Sequence, residues 1–148
     1  MTTRASDALL RKILTETKTI ALVGASNKPH RDSNGVMRFL QAKGYRVIPI
    51  NPALAGQTLN GETVYASLKD IPQDKTGRID MVDIFRNSAD AAAPALDAID
   101  IGARFVWMQL GVVNEPAAGK VRAAGLEIVM DHCPAIEYPR LIGGSKEH

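Results

Sequence analysis

The sequence predicts an α/β fold, a doubly wound parallel sheet of five strands with helices on both faces. Three observations predict it. Thr19-Ile20-Ala21-Leu22-Val23 carries no charge and is rich in aliphatic side chains, the pattern of a strand buried on both faces, and Gly24 falls where that strand must turn sharply. Residues 19 to 50 form one strand-helix-strand unit of the expected length, with parallel strands and a right-handed crossover. The same alternation, with short connections, then repeats to residue 130. Numbered along the chain, the strands are expected in the order 3-2-1-4-5.

Taken in order, residues 6–16 set Leu9, Leu10, Ile13 and Leu14 on one side at helical spacing and predict an amphipathic leading helix that covers one sheet face. After the first strand, Asp32 or Ser33 is expected to cap a helix carrying Val36, Met37, Phe39 and Leu40, which Gly44 ends. Tyr45 to Ile50 is the second strand, with Pro49 weakening its pairing because proline cannot donate to a ladder. Residues 51–78, punctuated by Pro52, Gly56, Gly61, Pro72 and Gly77, are irregular and suit a mobile or ligand-covering segment. Ile79 to Phe85 is the third strand, and its Asp80 and Asp83 suggest an exposed or edge position. Ser88 is expected to cap the helix through Ala92, Ala95, Leu96 and Ile99. Phe105 to Met108 is the fourth strand, Asn114 starts the next helix with Pro116 in its first turn, and Leu126 to Met130 is the fifth strand. A loose tail is expected over about 140–148.

Composition narrows the function classes. The length of 148 residues suits a single domain over 1–148, large enough to bury a sizeable core. A formal net charge of +2, with both signs interspersed, leaves no electrostatic footprint for nucleic acid or an anionic membrane surface. No apolar run approaches the length of a membrane helix and the N-terminus has no signal core, so the cytoplasm is the expected address. The one cysteine, Cys133, excludes an internal disulfide, and no Cys and His set has metal-ligand spacing.

In a doubly wound sheet ligands lie at the carboxyl ends of the strands, beside the topological switch. That rule gathers Gly24, Ala25 and Ser26, then Asn51 and Pro52, Phe85 and Arg86, Gln109 to Gly111, and finally Asp131 to Cys133. Gly24-Ala25-Ser26 lacks the second and third glycines of a dinucleotide fingerprint, but a buried strand before it and a helix after it suit a phosphate site, with Ser33 and the basic Lys28, Arg31 and Arg38 near in sequence. A nicotinamide site normally has an acid at the end of the second strand; here Asn51 stands there, beside the apolar face of Pro52. Arg86 is balanced between a ligand anion and a salt bridge, and Gln109 between a ligand amide and a neighbouring loop. Cys133 is either a buried small hydrophobe or a nucleophile, and the adjacent His132 does not make a catalytic pair because successive side chains on extended backbone point apart. No paired carboxylates, Ser-His-Asp set or Walker loop is present, so no catalytic residue is nominated. Gly24→Val is expected to obstruct a ligand while leaving the protein folded.

Five stretches, in this order, carry a resemblance: Ala21 to Ser26, Gly44 to Pro52, Tyr65 to Pro72, Trp107 to Gly111, and Asp131 to Pro134. Together they resemble the small stand-alone CoA-binding proteins, which are similar to the N-terminal domain of the succinyl-CoA synthetase α subunit. The resemblance runs from about Lys18 to Pro134. It implies a Rossmann-like domain that holds coenzyme A or an acyl-CoA: Gly24, Ala25, Ser26 and Ser33 at the phosphates, Asn51 and Pro52 at the nucleotide part, Phe85, Arg86, Gln109 and Gly111 along the rest. It implies no phosphohistidine role for His132, since that residue of the synthetase belongs to a further domain. The expected function is non-enzymatic binding as a carrier, sensor or regulatory module. The alternatives are a small NAD(P)-binding oxidoreductase and the CoA-binding subunit of a multi-chain acyl-CoA ligase, which would copurify with a partner protein. A homo-oligomer also stays open. Cys133, at the carboxyl edge, is a candidate for a mixed disulfide with the pantetheine thiol.

Overall fold

The computed structural model of the chain describes residues 5–143. Its strands are β1 (Thr19–Val23), β2 (Arg46–Ile50), β3 (Thr58–Leu59), β4 (Glu62–Thr63), β5 (Met81–Ile84), β6 (Phe105–Met108) and β7 (Glu127–Val129). The helices are α1 (Asp7–Glu16), α2 (Asp32–Ala42), α3 (Gln73–Thr76), α4 (Ala92–Asp100), α5 (Glu115–Ala123) and α6 (Pro134–Leu141). Five strands form one parallel sheet in the order β2-β1-β5-β6-β7, while β3 and β4 make a separate antiparallel hairpin turned by Asn60 and Gly61, both at positive φ.

The α/β class with a five-stranded parallel sheet stands, but the expected strand order does not. The third main strand, β5, lies on the free side of β1 rather than outside β2. Two side-chain facts force this. All four residues of β5 are buried, Asp83 included, so that strand needs neighbours on both sides and helices on both faces. By contrast β2 carries Arg46, which is exposed, and Pro49, which is buried but belongs on an edge because it cannot donate to a ladder. The Pro49 carbonyl accepts the Tyr65 N–H at 3.1 Å on the outer side, so its missing donor also points outward and no bond to β1 is lost. Asp80 precedes β5, and its carboxylate accepts the N–H groups of Lys18 and Thr19 at 2.9 and 3.1 Å, pinning the start of β1.

Each face of the sheet is covered by its own apolar layer. On one side Leu10, Ile13 and Leu14 of α1, Met37 and Leu40 of α2 and Tyr138 of α6 pack over Leu22, Phe105 and Trp107. On the other, the alanines of α4 and α5 lie against Val82, Val106 and Ile128, small residues that let those helices approach closely. The leading helix forms as expected, with Ser6 as its cap accepting the Leu9 N–H at 3.1 Å. Asn114 likewise caps α5 through Ala117 N.

Other expectations need correction. Arg31, not Asp32 or Ser33, is the N-cap of α2 and makes no side-chain cap bond, so Asp32 serves in the first turn, where its charge suits the helix dipole. Ser88 does not cap α4: its hydroxyl accepts the Val113 N–H at 3.0 Å and so ties the β5 loop to the β6 loop. Part of the tail expected to be loose is helical, because α6 runs to Leu141 and Arg140 bonds Asp7 and Glu137, each at 2.8 Å. Residues 144–148 of that tail lie outside the described residues.

Candidate functional site

Because every main strand runs the same way, their carboxyl ends meet on one rim, and the switch in winding direction falls between β1 and β5. Three cavities run along that rim. The central one, about 670 Å³, lies over the β1–α2 loop, between Gly24, Ser26 and Ser33 on one wall and Asn51 and Leu54 on the other. On its far side from α2 a second, about 450 Å³, is walled by Pro52, Leu68, Arg86 and Pro94 and shares Gly24, Asn51 and Ala53 with the first. A third, about 610 Å³, opens beneath α6 between Phe39, Phe85, Gln109, Cys133 and Ile136, and joins the central cavity at His30, Arg31, Asp32 and Phe85. Shared walls make the three one groove.

The groove brings together Gly24, Ala25, Ser26, Ser33, Asn51, Pro52, Phe85, Arg86, Gln109 and Cys133. Gly111 lines none of the three cavities; its N–H donates to Asp131 Oδ1 at 2.7 Å and its φ is +78°. Its part is to turn the β6 loop.

Local bonding assigns several of these residues to the scaffold. The N–H groups of Gly24 and Ala25 both point to Ile50 O, at 3.1 and 3.2 Å, so neither is free to receive a phosphate there. At Gly24 φ is +88°, and an added Cβ would stand 2.2 Å from Phe85 O. The close approach that demands glycine is thus to this chain's own backbone, which corrects the expectation that Gly24→Val leaves the fold intact. Asn51 spends both ends of its amide: Nδ2 donates to Ala25 O at 2.8 Å and Oδ1 accepts the Ala53 N–H at 2.8 Å. Arg38 is likewise a brace, its Nε donating to Asn34 Oδ1 while Asn34 Nδ2 donates to Ser26 O, both at 2.8 Å.

What faces the central cavity with binding capacity is therefore the loop itself. Ser26, Asn27, Lys28, His30 and Arg31 line it, followed by Asp32 and Ser33, whose N–H groups at the start of α2 have no partner within the helix, whereas those of Asn34 and Gly35 are spent on Arg31 O. Ser26 Oγ accepts the Lys28 N–H at 3.1 Å and keeps its own proton to donate. Cationic side chains beside a helix start suit an anion. In the second cavity Arg86 is exposed and, among the described residues, is held by an ion pair to Asp90 at 3.3 Å. In the third, Gln109 is nine-tenths buried and its Oε1 has no hydrogen-bond partner among the described residues. Cys133 is buried at the N-cap of α6, and the His132 ring is held separately, with Nδ1 2.8 Å from Met130 O.

One group expected to be exposed is buried instead. Asp83 is fully buried between Leu22 and Trp107 in the register, one row below Phe85 and Gln109, and both its oxygens lack partners among the described residues. Burial in this apolar setting pushes its carboxyl well above the ordinary carboxylate range. Also missed were the walls that α6 contributes, although Pro134 directly after Cys133 is a helix-start signal.

Fold and groove define a class: an α/β protein whose parallel sheet presents a ligand-sized channel at its switch point. The chain belongs to the CoA binding domain family, which matches residues 18–139. It is 36% identical over 133 residues to the uncharacterized protein YneT of Bacillus subtilis (strain 168), across 90% of this chain and 94% of that one. A solved hypothetical protein from Pyrococcus horikoshii OT3 superposes with a TM-score of 0.87 at 40% identity, covering 97% of this chain and 99% of the other. The Ca. Korarchaeum cryptofilum dinucleotide forming acetyl-coenzyme A synthetase 1, solved in complex with phosphate and ADP, shares the fold at 23% identity and a TM-score of 0.64, over 83% of this chain and 27% of the synthetase.

Proposed function

We propose that the chain binds coenzyme A or an acyl-CoA along the groove and, with no catalytic set in it, acts as a carrier, sensor or regulatory module of the cytoplasm. The observation that carries this reading is the sequence of surfaces along one channel: a cationic loop at a helix start in the middle, a largely apolar chamber bearing Arg86 and Asp97 on one side, and a chamber with apolar walls and the Gln109 amide on the other. Coenzyme A has that order of chemistry, a nucleoside and a pantetheine arm joined through a pyrophosphate. The pyrophosphate meets Lys28, His30, Arg31 and Ser33; the adenosine lies in the Pro52 chamber, with Arg86 in reach of its 3′-phosphate; the pantetheine runs past Phe85 and Gln109. Gly24, Ala25 and Asn51 shape the channel from behind.

The test is the shift in unfolding temperature with CoA, acetyl-CoA, NAD and NADP in parallel, since a ligand bound only by the folded state raises apparent stability. A shift with the CoA species alone is the expected result. A shift with NAD or NADP alone would replace this reading by the oxidoreductase one, which Asn51 disfavours by its lack of charge. Copurification of a ligase subunit from the source cell would replace the stand-alone module by a subunit.

A further inference from the structure

We propose that the chamber under α6 receives the sulfur end of the coenzyme and that Cys133 exchanges with CoA disulfide there to form a protein–CoA mixed disulfide; this rests on the CoA-binding reading above. Two independent features of the chamber point to a ligand. Cys133, the only cysteine of the chain, lines it. On the same wall Gln109, 6% exposed, holds an Oε1 with no partner among the described residues. No hydrogen bond holds the Gln109 side-chain amide among the described residues, so the amides of a ligand in the chamber are its natural completion. Pantetheine offers two amides and then a thiol, so an arm that satisfies Gln109 carries its sulfur onward into the chamber. Phe39, Phe85 and Val36 supply apolar contact for the methylene and dimethyl parts.

The opposite orientation fits less well. Turned around, the arm would lie in the Pro52 chamber, where Arg86 and Asp97 stand in the wall, and the 3′-phosphate would lose Arg86. The Cys133 chamber is also lined by the two most exposed large apolar side chains among the described residues, Leu110 at 56% and Ile136 at 53%. They flank the path by which the departing half of a CoA disulfide leaves.

The exchange balances without a further oxidant. The Cys133 thiol gives up its proton, and the thiolate attacks one sulfur of CoA disulfide. The S–S bond of the dimer breaks as the Cys133–CoA S–S bond forms, and one CoA leaves as a thiolate that takes up a proton. CoA disulfide is the oxidant, and a free thiol reverses the step. A module of this kind holds CoA covalently when the CoA pool is oxidised and releases it when the pool is reduced.

The experiment incubates the full chain with CoA disulfide and, separately, with oxidised glutathione at equal concentration, and follows intact mass with and without dithiothreitol. Cys133→Ala is the control, and unfolding temperature with reduced CoA is measured alongside. The expected result is one CoA per chain, removed by dithiothreitol, absent in Cys133→Ala, and formed at least tenfold faster than the glutathione adduct. Equal rates for the two disulfides would overturn the proposal, because the groove would then be directing nothing. Absence of an adduct while CoA still raises the unfolding temperature would overturn it and leave the binding reading standing. Absence of both would remove the binding reading and the proposal with it.

Discussion

Asn51 donates through Nδ2 to the carbonyl of Ala25 at 2.8 Å, tying the loop after β2 to the loop after β1. The same amide accepts the Ala53 N–H at 2.8 Å, so one side chain holds both walls of the central cavity. Asn51→Ala should cost about 1–3 kcal/mol, because it leaves two backbone groups without their partner. Denaturant unfolding measures the loss. Asn51→Asp should not rescue it, since a carboxylate cannot donate to Ala25 O, and should not create NAD binding; titration with NAD checks the second point.

Gly24→Ala should lose stability by about 2 kcal/mol or more, from a strained φ and from contact with Phe85 O. Thermal unfolding without any ligand is the measurement. A variant that unfolds at the wild-type temperature would show that the β1 and β5 ends separate easily.

Asp83 predicts a pH dependence of definite sign. Its folded-state pKa lies well above that of the unfolded chain, so the stability linked to its proton is fully present below the unfolded pKa, about 3.9, and is lost as pH rises toward the folded pKa. Asp83→Asn, of equal shape and without a proton to lose, should therefore gain on the wild type by about 1.4 kcal/mol per pH unit across that window. Denaturant curves of the two proteins at a series of pH values test it. A constant difference would mean that the carboxyl is ionised in the fold.

Arg86 has a prediction that separates the nucleotide end from the rest. On the proposed orientation, Arg86→Ala should weaken CoA binding while leaving affinity for 3′-dephospho-CoA almost unchanged, because only CoA carries a 3′-phosphate for Arg86 to meet. Calorimetric titration of both ligands into both proteins reads the difference directly.

Much of this architecture was legible in the residues. The uncharged run of β1, the glycines that end α2 and α5, and the strand-helix alternation led to the sheet and to the rim where the groove lies. Two signals were present and read in the wrong sense. Pro49 is less a local weakness than a marker of the edge, since the least costly position for it is the outer side of an edge strand. Asp83 suggests exposure by its charge, yet burial that raises a carboxyl's pKa lets it lie in the centre of a sheet. Together they would have set β2 at the edge and β5 inside. The bracing roles of Asn51 and Arg38 were not legible at all, since they depend on backbone carbonyls brought together from separate loops.

The seam between β2 and Tyr65 bears on how copies of this chain can meet. Tyr65 gives its N–H to Pro49 O and takes the Asn51 N–H, and Arg46 at the other end of the strand grips Glu62 of the hairpin. A sheet margin occupied in this way offers no template for a strand from a neighbour, which is the step that seeds fibres. On that margin, self-association by strand annealing is barred unless the hairpin first peels away.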